Sequence, residues 1–150
     1  MSSRIVDGNA YVIGGGFNDL TNTNIVEAYD IATDTWDTAK TPMPTPRVEV
    51  CTAVVNGKIY AIGGVSHHNS VESVEVYDPD SNEWDMFDDT PGSVLSHGAN
   101  EFEGHIYVFT GSYAAEPNPS PAVYRYSPAL DADRIGISVP EYSREVEKNH

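Results

Sequence analysis

Three stretches of this chain carry the same landmarks in the same order, and that repetition constrains the fold more than any other feature. "NAYVIGG" (Asn9 to Gly15) precedes "NTNIVEAYDIATDTW" (Asn22 to Trp36). "KIYAIGG" (Lys58 to Gly64) precedes "HNSVESVEVYDPDSNEW" (His68 to Trp84), and "HIYVFTG" (His105 to Gly111) precedes "SPAVYRYSP" (Ser120 to Pro128). Tyr11 to Tyr60 is 49 residues and Tyr60 to Tyr107 is 47; Tyr29 to Tyr77 is 48 and Tyr77 to Tyr124 is 47; Trp36 to Trp84 is 48. A period held by independent landmarks marks one supersecondary unit used several times. Each unit must bury its apolar face on a neighbour.

The unit is built of strands. No segment keeps apolar residues at helical spacing, whereas "YVIGG", "CTAVV", "IYAIGG", "VESVEVY" and "IYVFTG" are β-branched and aromatic runs bounded by turn residues. In "VESVEVY" the acids between Val71, Val74, Val76 and Tyr77 suggest a partly solvated strand. Asn56-Gly57 lies between two such runs, and Asn-Gly favours the two positive φ angles of a type I′ hairpin. Asp7-Gly8 and Glu103-Gly104 hold the matching places. "DIATDTW" and "DPDSNEW" join two further strands, with Asp and Asn side chains able to hold a turn. One repeat therefore reads as four strands: "RVEVCTAVV", "KIYAIGG", "SVESVEVYD" and "EWDMFD".

A four-stranded antiparallel sheet at this period is a propeller blade. The chain resembles the kelch-repeat family, on Gly14-Gly15, Gly63-Gly64, Tyr29-Asp30, Tyr77-Asp78, Trp36 and Trp84. The resemblance implies an all-β propeller segment of about three blades, at about 1–46, 47–93 and 94–128. Residues 129–150 are expected to form a divergent strand or a disordered tail. It also implies that the glycine pair ends a strand where bulk does not fit, and that the Tyr and Trp pack between blades. Three departures stand out. Only "MSSRIV" precedes Asp7-Gly8, so the first strand is expected to be short or missing. The third repeat keeps one glycine, Gly111, with Tyr124 as its tyrosine, and "ALDADRIGISV" stands where a tryptophan strand is due. Propellers typically close with four to eight blades. The segment is therefore expected to belong to a longer chain or to pair as a homodimer. In such a six-bladed ring "RIGISV" would supply the missing strand of the other copy.

Charge narrows the partners. The formal net charge is −15, with only Lys40, Lys58 and Lys148 as lysines, which opposes nucleic acid and anionic membrane surfaces. It also fits adaptation to high salt, where ions screen self-repulsion. The single cysteine, Cys51, excludes an intramolecular disulfide. With no apolar leader or span visible, a cytoplasmic location is expected.

Candidate chemistry is sparse. "GGGFND" lacks the spacing and the following helix of a dinucleotide loop. "DPDSNEWD" alternates ligands as a calcium loop does, but Glu83 stands where glycine is needed. Glu49, Cys51, Ser96 and His97 fall on strands that should line the channel, without a convergent acid–base set. No cofactor and no metal site is implied. The resemblance instead implies loops that bind a protein or peptide, with Asn22, Asn24, Arg47, His67, His68 and Asn69 on the binding face. The alternatives are a kelch-type enzyme acting on a small molecule such as a sugar, or an incomplete propeller with no role of its own.

Overall fold

A computed structural model describes residues 1–16, 21–90, 98–109 and 123–128. The first sheet contains β1 (Ser2–Val6), β2 (Asn9–Gly16), β3 (Asn22–Asp30) and β4 (Thr35–Asp37), in that order and antiparallel. The second contains β5 (Cys51–Val55), β6 (Lys58–Ile62), β9 (Ser73–Asp78) and β10 (Glu83–Asp89), again in chain order across the sheet. Between β6 and β9 lies a two-stranded hairpin, β7 (Val65–Ser66) and β8 (Asn69–Ser70). The third sheet contains β11 (Gly98–Phe102), β12 (His105–Phe109) and β13 (Val123–Tyr126). Gly111 and the segment 129–150, with "RIGISV", lie outside the described residues.

The tight turns follow from local chemistry. Asp7-Gly8, Asn56-Gly57 and Glu103-Gly104 each place both residues at positive φ, as a type I′ hairpin requires. Asp30 and Asp78 accept backbone N–H groups two and three residues on, which holds the turns ahead of β4 and β10.

Blades stack through two apolar clusters. Val6, Tyr11, Ile13, Val26 and Ala28 of the first sheet meet Ile59, Ala61 and Tyr77 of the second, with Met43 between them. The other face of the second sheet, through Val55, Tyr60, Ile62 and Val74, meets Ala99, Ile106, Val108 and Tyr126 of the third. Side chains alternate across each strand, so the middle sheet feeds both clusters.

Several expectations change. β1 is neither short nor missing: its five residues pair with β2 from Ser2↔Ile13 to Val6↔Asn9, as β5 pairs with β6. A strand need not look strongly apolar when its partner supplies every ladder bond. No gap therefore remains in the first blade for a second copy's strand. The strand read from "RVEVCTAVV" begins only at Cys51. Glu49 sits at positive φ, and the amides of Arg47 and Val48 donate to Thr23 and Val65 instead of β6. Glu75, read as a solvated acid, is buried. The third repeat also shifts by two. Ile59 pairs with Tyr77, and its counterpart Ile106 pairs with Tyr126, so Tyr126 and not Tyr124 matches Tyr77.

Trp36 and Trp84 hold equivalent places, paired with Tyr29 and Tyr77 in register and tilted against them at ring distances of 5.2 and 5.1 Å. Only the second pair packs between blades. Trp36 is 57% exposed.

Candidate functional site

The segment from Met43 to Val48 crosses from the first blade to the second and belongs to both. Met43 N–H donates to Asn24 O, Arg47 N–H to Thr23 O, and Gly15 N–H to Arg47 O. Val48 and Val65 exchange both backbone bonds at 2.9 Å. The glycine pairs make room for this crossing. A Cβ on Gly14 would stand 2.9 Å from Arg47 O, and one on Gly64 would stand 2.5 Å from Val48 O. Gly14 and Gly64 also have positive φ, which side chains rarely adopt.

Arg47 does not face a partner, contrary to expectation. Its side chain is fully buried, with Nη2 2.5 Å from Glu75 Oε2 and Nη1 donating to Gly63 O and Ser73 O. Thr45 donates its hydroxyl to Glu75 Oε1 and its backbone N–H to Oε2. Burial pulls the guanidinium below its usual value, and the facing carboxylate opposes that pull. The physical reason for the correction is pairing. A carboxylate 28 residues away gives the arginine an interior partner, and the two close the crossing like a clasp.

Asn22 and Asn24 are likewise committed to structure. Asn24 Nδ2 donates to Met43 O, and Asn22 Nδ2 donates to Val65 O. The second bond fastens the root of the β7–β8 hairpin to the first blade. At the tip, His67 and His68 occupy a two-residue turn, at φ 47° and 66°. Type I′ turns ordinarily use Asn or Gly here, because a Cβ in the left-handed region costs about 1–2 kcal/mol per residue. Asn69 Nδ2 donates to His67 O, and Ser66 Oγ lies 3.1 Å from His67 Nδ1. His67, His68 and Asn69 are exposed. The structure thus gathers the sequence candidates at one end of the blades, with three at the surface and three beneath.

The clasp partners Glu75 and Thr45 escaped the sequence reading. The available signal was an isolated Glu within "SVEVYD", flanked by residues of a buried strand.

At the inner strands the picture is different. Arg4 donates to Thr52 O and Ala99 O, so its guanidinium ties β1 to β5 and β11. Ser2 and Thr52 share a hydroxyl bond at 2.7 Å. Burial pushes the half-buried Cys51 thiol up, which suits a packed side chain better than a nucleophile. Glu49 is exposed, and Ser96 and His97 lie outside the described residues. Among the described residues no three of His, Cys, Asp and Glu gather to hold a metal ion, and no helix is long and apolar enough to cross a membrane.

A family model for the kelch motif matches residues 1–43 and again 46–88. The chain belongs to the kelch-repeat family. Kelch-like protein 23 of Mus musculus is 37% identical over 91 residues, covering 59% of this chain and 15% of the relative. Kelch repeat and BTB domain-containing protein 2 of Ectromelia virus (strain Moscow) is 33% identical over 111 residues, covering 73% of this chain and 20% of the relative. Kelch-like protein 26 of Danio rerio is 28% identical over 131 residues, covering 85% and 21%. The chain therefore spans about a fifth or less of the length of these relatives.

Proposed function

We propose that this kelch segment is a non-catalytic binding module that presents the His67–Asn69 tip to a protein or peptide partner. The observation that carries the reading is the β7–β8 hairpin itself. Two histidines are held in an unfavourable backbone conformation at an exposed tip, over a root fixed by Asn22 and Val48. Strain of this kind persists where the surroundings over-determine it, and it gathers at binding and catalytic sites. Loops on a rigid scaffold are also where recognition residues concentrate. Arg47 and Asn24 act from beneath by fixing the crossing on which the hairpin rests. A single half-buried thiol suits a reducing compartment such as the cytoplasm.

The test is a peptide library selected on the chain and then measured on the double variant His67→Asn, His68→Gly. That pair keeps the turn type and relieves its strain, so the hairpin survives while both imidazoles go. Selected peptides should lose at least about tenfold in affinity, the effect of about 1.4 kcal/mol. Equal affinity for both proteins, or no peptide selected at all, would overturn the assignment of this tip.

A further inference from the structure

Of the three matched two-residue turns, the one in the middle blade carries the pair most given to react with itself. Asn56 and Gly57 are both exposed, and nothing lies within 4 Å of the space a Gly57 Cβ would fill. A glycine after asparagine leaves its backbone nitrogen open to the side-chain carbonyl carbon. No other asparagine of the chain is followed by glycine. The amides of Asn9, Asn22, Asn24 and Asn69 each donate to a backbone carbonyl, and Asn82 Oδ1 accepts from the Thr41 N–H and the Tyr77 hydroxyl. The Asn56 amide has no such partner among the described residues.

The first blade shows what this turn lacks. There Gly8 O accepts the Ile31 N–H at 3.2 Å, which pins the Asp7-Gly8 turn to the turn ahead of β4. Ala10 pairs with Tyr29 as Ile59 pairs with Tyr77, so the counterpart of Ile31 is Pro79. Proline has no N–H, and Gly57 O receives no such bond from it. The nearest tie is the Lys58–Asp78 ion pair, whose partners are partly exposed. Ion pairs of that kind hold little.

We propose that Asn56-Gly57 is a site of spontaneous deamidation that ages the middle blade. The Gly57 backbone nitrogen attacks Asn56 Cγ. The new N–C bond closes a five-membered succinimide, the Cγ–Nδ2 bond breaks, and ammonia leaves with the Gly57 amide proton. Water then opens the ring. Opening at Cγ gives aspartate. Opening at the backbone carbonyl carbon gives isoaspartate, in which the main chain runs through the side chain. One water enters and one ammonia leaves, so no oxidant or cofactor is needed. Type I′ angles hold the nitrogen away from Cγ, so the ring closes when the turn opens briefly, and the missing Gly57 bond makes that local opening easier.

The two products differ in consequence. Asp-Gly already forms the matching turn of the first blade, so aspartate keeps β5 and β6 in register. Isoaspartate adds one atom to the backbone of a two-residue turn. The ladder from Cys51↔Ile62 to Val55↔Lys58 then cannot close unstrained at the turn, and its two strands feed both apolar clusters.

Ageing the purified chain in mildly alkaline buffer, with peptide mapping at intervals, tests this. Conversion should appear first at Asn56, as a species with one more negative charge than the formal −15. A fraction should accept methyl groups from S-adenosylmethionine through an isoaspartyl methyltransferase. Asn56→Gln should abolish that signal, since a six-membered ring closes far more slowly. Asn56→Asp should melt with the unaged chain, and the separated isoaspartyl form should melt lower. Pro79→Ala restores an N–H opposite Gly57 O and should slow conversion about two- to tenfold, the effect of one hydrogen bond. The inference is overturned by conversion first at another asparagine, or by none at Asn56 while a short peptide from Val54 to Tyr60 converts. Methyl acceptance undiminished by Asn56→Gln, an isoaspartyl chain that melts like Asn56→Asp, or a Pro79→Ala variant that converts as fast would overturn it equally.

Discussion

The Tyr29–Trp36 pair of the first blade and the Tyr77–Trp84 pair of the second have the same register and nearly the same ring geometry, yet different surroundings. Tyr77 is fully buried against Tyr11, its hydroxyl donates to Asn82 Oδ1, and Trp84 Nε1 donates to Thr41 O, two residues ahead of the crossing segment. Tyr29 donates to the Asp34 side chain, and Trp36 is largely in solvent. The repeat sequence therefore specifies the blade, down to one ring tilted on another. Burial comes from the neighbour. Stability in such a stack is a sum of blade terms and junction terms, and the first blade has one junction fewer among the described residues.

The largest test of that difference is the clasp. Arg47→Met should destabilise the chain by about 3–5 kcal/mol in urea unfolding, because it leaves Glu75 buried without its countercharge. Glu27→Gln, at the place of Glu75 in the first blade, should change stability by no more than about 0.5 kcal/mol. Similar losses from both would break the contrast. Next comes the aromatic row. Tyr77→Ala should cost about 3 kcal/mol or more, as large-to-small changes in a core do. Tyr29→Ala should cost less than about 1 kcal/mol, as surface changes do.

A smaller effect separates two glycines of similar φ. Gly57→Ala should cost about 1 kcal/mol for the left-handed conformation alone. Gly64→Ala should cost about 2 kcal/mol or more, since its Cβ would also strike Val48 O at 2.5 Å. Equal costs would show that the crossing segment can shift. The last effect is silent at neutral pH. Burial chiefly, with Tyr11, Asp37 and Asp78 adding to it, pushes the Tyr77 phenol from 10.0 up to about 12. The folded state thus favours the neutral ring. Its contribution is complete below about pH 10 and is lost as the pH rises towards 12. Difference absorbance of the phenolate should show one tyrosine titrating together with alkaline unfolding, and Tyr77→Phe should remove that step.

Much of this was legible in the sequence because it rests on short-range rules. Asn56-Gly57 and its two counterparts announce their turns through backbone preference, and the Asp30 and Asp78 turns through side-chain acceptors close by. What was not legible depends on distance or on broken rules. Arg47 reads as a surface charge until Glu75 arrives from across the blade. The His67–His68 turn carries neither Gly nor Asn, so nothing marks it as a hairpin. Tyr124 and Tyr126 stand two apart on one strand face, and only the pairing of Ile106 distinguishes them. The candidate site was therefore half visible. His67, His68 and Asn69 do lie on an exposed loop, while Asn22, Asn24 and Arg47, held in bonds beneath it, were taken for part of its surface.

The crossing from Met43 to Val48 also determines where this protein can be divided. A repeat counted from the sequence ends near Pro46, between the two tryptophan-bearing units. A cut there would sever backbone bonded to Asn24 and Thr23 on one side and to Val65 on the other, next to the Arg47–Glu75 clasp. Asn56-Gly57 offers the better seam, because the turn is exposed and nothing lies within 4 Å of the space a Gly57 Cβ would fill. Two fragments meeting at that turn would each keep one strand of a matched pair, β5 on one and β6 on the other, and would reassemble through the ladder from Cys51↔Ile62 to Val55↔Lys58. As a modular part, the movable piece of this chain is thus a blade offset by one strand, running from the Asp7-Gly8 turn to the Asn56-Gly57 turn.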